Sequence, residues 1–110
     1  MMTSNIFNDI PEYAPTELFK TLIKHPSCRI ERIVSYGQSS PEGFWYDQTW
    51  DEWVLLLQGA ATLDLDGDVV ALRPGDHKFI PAGVRHRVQQ TALNQPTIWL
   101  AVHMDGATAP

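Results

Sequence analysis

The hydrophobic pattern changes period once, at Cys28, and from there apolar and polar residues alternate in short runs broken by Gly, Pro, Asp or Asn. That punctuation predicts an all-β domain. Eight strands are read at Arg29–Tyr36, Gly43–Tyr46, Glu52–Gln58, Ala60–Leu65, Asp68–Leu72, His77–Ile80, His86–Thr91 and Thr97–Met104. The sharpest local signal is Asp66-Gly67, because both central residues of a type I′ turn need positive φ. Folding there pairs Leu65 with Asp68, Leu63 with Val70 and Ala61 with Leu72. Ala61, Leu63, Leu65, Val70 and Leu72 then share one face. Short antiparallel strands with one apolar face must bury it on a second sheet, as a sandwich, jelly roll or small barrel.

Before Cys28 the spacing looks helical. Pro15 opens a segment in which Leu18, Phe19, Leu22 and Ile23 share a face, Lys20 and Lys24 follow, and Pro26 ends it. The expectation is an arm with a short amphipathic helix over residues 1–27, packed against a barrel domain at 28–110.

With 110 residues the chain has room for one core, and 44% apolar against 19% charged residues is a globular balance. A net charge of −5 argues against nucleic acid and anionic membrane as partners. Cys28 is the one cysteine, which excludes internal disulfides and thiolate metal clusters and suits a reducing compartment. Residues Met1 to Asn8 lack the basic segment and apolar run of a secretory signal, so the expected location is cytoplasmic.

Chemistry must come from four histidines and the carboxylates. Alternation puts Glu52 on the face of Val54 and Leu56, and His86 on the face of Val88 and Gln90. A carboxylate on an apolar face needs a partner, a proton or a cation, and His86 is the natural candidate. His103 shares a face with Trp99 and Ala101; one strand alone leaves open whether that face is the inner one. His77 reads as a surface or pocket-mouth residue, and His25 carries no role. Five aromatic residues fall in the eleven positions from Gly43 to Trp53, enough to wall a pocket or to bury a dimer interface through Trp45, Trp50 and Trp53. Arg85 and Arg87 face away from His86, toward surface carboxylates.

The segment Gly75-Asp-His-Lys-Phe-Ile-Pro81-Ala-Gly83-Val-Arg-His86 resembles the second motif of the cupins, with Gln90 where that motif has Asn. The first cupin motif runs His-x-His, then Glu, then Gly, and Glu52 and Gly59 match its ending. Its two histidines do not match: they fall on Tyr46 and Gln48, or on Trp45 and Asp47, depending on the spacing. The resemblance covers about residues 43 to 103. It implies a double-stranded β-helix (cupin jelly-roll) barrel, often a homodimer, that binds a small organic molecule. It is compatible with a divalent metal, Mn, Fe or Zn, held by Glu52 and His86 with Gln48 or Asp47 at the positions of the missing histidines; alternation offers His103 as a further ligand if the Trp99 face lines the barrel. Metal-dependent isomerase, decarboxylase or dioxygenase chemistry would use Glu52 as ligand or base and Tyr46 as proton donor. The alternative is a metal-free, non-catalytic binding or sensing module.

Overall fold

The computed structural model describes residues 2–105. Eight strands form: β1 (Leu18–His25), β2 (Cys28–Ser35), β3 (Asp51–Gln58), β4 (Ala61–Leu65), β5 (Asp68–Leu72), β6 (His77–Ile80), β7 (His86–Thr91) and β8 (Thr97–Met104). A five-stranded sheet in the order β1-β2-β8-β3-β6 faces a three-stranded sheet in the order β5-β4-β7. The double-sheet β architecture is the one expected. The last five residues of the expected 28–110 domain lie outside the described residues, as does Met1.

The β4–β5 hairpin has the register read from Asp66-Gly67, with Leu65 opposite Asp68, Leu63 opposite Val70 and Ala61 opposite Leu72. Both turn residues have positive φ, 51° and 98°. Ala61, Leu63, Leu65 and Leu72 are buried against Val54, Leu56, Trp99 and Ala101 of the larger sheet, and Val70 packs on that cluster. Burying a Leu or Val side chain contributes about 1.5–3 kcal/mol, so this apolar layer is what keeps the two sheets together.

Three expectations are corrected. No helix forms over residues 15–24; the segment is β1, paired antiparallel with β2. The pairing steps from Thr21–Glu31 to Ile23–Ile30, leaving Leu22 as an extra residue. That bulge places two adjacent apolar pairs, Leu18-Phe19 and Leu22-Ile23, at a spacing that imitates a helical face. Hydrogen bonding to β2 overrides the weak local preference for helix.

Second, Gly43–Tyr46 is no strand. Phe44 N–H closes a turn onto the Pro41 carbonyl, and only Tyr46 bridges to His86. Third, Gln90 does not share the inner face with His86. The β4–β7 register steps from Leu63–Val88 to Thr62–Gln90, so Gln89 is inserted and Thr91, not Gln90, turns inward.

The arm before β1 covers the outer face of β2. Arg32, only 5% exposed, donates to the carbonyls of Ile6 and Asn8, and Tyr36 Oη donates to the Pro11 carbonyl. Since β1 is hydrogen-bonded to β2 along its length, it belongs to the same sheet as the rest. Among the described residues no helix is long and apolar enough to cross a membrane.

Candidate functional site in the barrel cavity

Strand register alone brings the polar groups together. In β8, Trp99, Ala101 and His103 form the inner row, which answers the question the single strand left open. The antiparallel pairing sets Glu52 of β3 beside His103, Val54 beside Ala101 and Leu56 beside Trp99. On the other side of β8, Glu31 sits opposite Ala101 and Arg29 opposite His103. His86 arrives from the smaller sheet. A cavity of about 340 Å³ lies between the sheets, floored by Val54, Leu63, Ile80 and Trp99 and ringed by polar side chains.

Glu52 and His86 meet as expected, with Nε2 of His86 3.6 Å from Oε1 of Glu52 and both side chains under a tenth exposed. Nδ1–H of His86 donates to the Val84 carbonyl at 3.1 Å, because a carbonyl can only accept. The face toward Glu52 is therefore Nε2. With Nε2 protonated the imidazolium faces the carboxylate as a charge pair at 3.6 Å. Burial pushes the His86 pKa down, yet the Glu52 carboxylate and the Val84 carbonyl outweigh it and hold the pKa above the ordinary 6.5.

Tyr46 stacks on His86, ring centroids 5.3 Å apart at 22°. Its pKa is raised, first by burial and then by the negative charges of Glu17, Glu52 and Glu31. The phenol keeps its proton and can donate it. Phe44 meets the edge of Tyr46 at 4.9 Å and fixes its ring plane.

His103 has both nitrogens occupied. Trp50 donates its indole N–H to Nδ1 at 2.9 Å, and Nε2 lies 2.8 Å from Glu31 Oε1. Indole is a donor only, so Nδ1 is the acceptor and Nε2–H is donated to Glu31. Glu31 escaped the sequence reading. It shares a face of β2 with Ile33, but a charged residue between Ile30 and Arg32 reads equally well as facing water. Its one signal was pairing register with β8, which the sequence does not state.

The remaining site residues separate. Gln48 lines the cavity and its backbone carbonyl accepts from Gly83 N–H at 2.8 Å. Asp47 is exposed and is not part of the wall. Trp45 lies outside, beneath Arg85 at 4.6 Å, and Trp53 packs on His77 on the outer face. The aromatic cluster thus serves several places, with Tyr46 alone of it on the cavity wall and Trp50 behind His103.

A resident divalent metal does not fit these donors as they are arranged. Glu52 and His86 supply two ligands; the Nδ1 lone pair of His103, the next nearest at 3.9 Å from Glu52, is taken by Trp50. Among the described residues no group of three His, Cys, Asp or Glu is placed to hold a metal ion. The two histidines of the first motif are the missing ligands, and Tyr46 and Gln48 on the wall supply an un-ionised phenol and a neutral amide.

Residues 32–103 match the Cupin domain family. A comparison with curated proteins gave no match. Among solved structures, the chain is similar to a Ralstonia eutropha protein provisionally described as a mannose-6-phosphate isomerase. The two share 47% identity and a TM-score of 0.92, with 96% of this chain and 99% of that one covered. A cupin superfamily protein of Desulfitobacterium hafniense is 21% identical with TM-score 0.73, covering 86% and 83%. A cupin 2 conserved barrel domain protein of Leptotrichia buccalis is 19% identical with TM-score 0.72, covering 86% of this chain and 44% of its own. With the motif residues, the barrel topology and the family match in agreement, the chain belongs to the cupin family.

Proposed function

We propose that the protein binds a small hydroxylated carbonyl compound in the barrel cavity and moves a proton on it, in the manner of a metal-independent aldose–ketose isomerase. The observation that carries this reading is the buried Glu52–His86 pair, 3.6 Å apart on the wall of an apolar-floored cavity, with the Tyr46 phenol stacked beside it. Glu52 as base takes the proton from the carbon next to the carbonyl. Tyr46, or protonated His86, gives a proton to the carbonyl oxygen, forming an enediol. Returning the first proton to the neighbouring carbon, while the other hydroxyl gives its proton back to the acid, completes the exchange with nothing consumed. The Ralstonia eutropha relative's description supports isomerisation as the reaction class.

A second reading, binding without turnover, is favoured by the fixed hydrogen bonds of His103, which leave that ring no free position for a reacting proton. One experiment separates the two. The protein, kept in a chelator, is incubated with mannose, fructose and their phosphates in deuterated water, and deuterium at the carbon beside the carbonyl is followed by NMR. The isomerase reading expects exchange that falls about a hundredfold or more in Glu52→Gln. Wild-type protein that binds sugar without exchange leaves the binding module; exchange unaffected by Glu52→Gln overturns the assignment of the base.

A further inference from the structure

We propose that this cavity accepts ligands that carry hydrogen-bond donors and no negative charge, and that it turns away phosphate esters. The inference rests on reading the cavity as the substrate site. Three carboxylates, Glu17, Glu31 and Glu52, stand on its wall, against one arginine, Arg29. Arg29 is 3.9 Å from Glu31 and its side chain is 44% exposed, so its charge is already directed at an acid and into water.

Among the described residues no other arginine lines the cavity. Arg85 pairs with Asp66, Arg87 donates to the Ser40 carbonyl, and Arg32 is held by the Ile6 and Asn8 carbonyls under the N-terminal arm. A phosphate dianion depends on such forks or on exposed backbone N–H groups, and here it would meet like charges in a medium that screens them poorly.

Glu52 supplies an independent pointer to the kind of group that fits. Its carboxylate lines the cavity, and the two imidazole nitrogens facing it, His86 Nε2 and His103 Nδ1, stand at 3.6 and 3.9 Å, beyond hydrogen-bond distance, the second of them already accepting from Trp50. A carboxylate that opens on the cavity has acceptor positions that a ligand hydroxyl or ammonium entering from there would fill. Burial first, and then the negative charges of Glu17, Glu52 and Glu31, raise the Tyr46 pKa, the second part in keeping with a negative potential at the cavity wall. Phe19 and Tyr46 add aromatic carbon to the same wall, suited to the C–H side of a polyol or to an ammonium group.

The test uses mannosamine, mannose and mannose 6-phosphate, which share a ring and differ in charge, titrated calorimetrically into the wild-type chain at neutral pH and low salt. We expect mannosamine and mannose to bind at least tenfold more tightly than mannose 6-phosphate. Raising the salt, or the exchange Glu31→Gln with Glu17→Gln, should narrow that gap; the salt series needs no variant to fold. Mannose 6-phosphate binding as tightly as mannose or tighter overturns the inference and leaves the barrel as the substrate site. Failure of all three to bind removes the barrel reading as well.

Discussion

The Glu52–His86 pair makes a quantitative prediction, because both groups are shielded and their separation is known. At 3.6 Å and an effective dielectric of about 20, opposite unit charges attract by about 4–5 kcal/mol. Taking two groups under a tenth exposed out of water offsets much of that. We therefore expect a double-mutant cycle of Glu52→Gln and His86→Gln to give a coupling of about 1–3 kcal/mol near pH 5.5, measured by urea unfolding. The sign of its pH dependence follows from the raised His86 pKa. A cation stabilised in the folded state contributes fully below the ordinary 6.5 and is lost as pH climbs through the higher folded value. The coupling should thus shrink as pH rises above 6.5 and through the higher folded value, while Glu52→Gln alone drops the His86 pKa, seen in its imidazole proton resonances. A His86 titration unmoved by Glu52→Gln, or a coupling below about 0.5 kcal/mol at every pH, refutes the charge pairing of Glu52 and His86.

Two further outcomes are expected. Gly59→Ala should cost about 3 kcal/mol or more and lower Tm by thermal unfolding, since φ there is +92° and a Cβ would stand 2.7 Å from Thr97 Cα, a backbone atom that cannot swing aside; a change under about 1 kcal/mol would contradict this. Trp50→Phe frees Nδ1 of His103 beside Glu52 and His86, so zinc or manganese affinity should rise at least tenfold over wild type in calorimetry; unchanged affinity would mean that Trp50 is not what withholds that nitrogen.

Sequence and structure contributed differently at identifiable places. Alternation and the Asp66-Gly67 turn determined the β class, the β4–β5 register and the inward placement of Glu52 and His86, because side-chain direction in a strand and the φ demands of a tight turn are local properties. Where a bulge adds a residue, local reading slips. The extra residues Leu22 and Gln89 turned β1 into an apparent helix and sent Gln90 to the wrong face. Only the tertiary fold could decide that the Trp99–His103 face of β8 is the inner one, that Glu31 joins His103, and that Trp50 occupies its Nδ1. Those contacts join residues 72 and 53 positions apart in the chain, through strand order and sheet closure that no window of sequence contains.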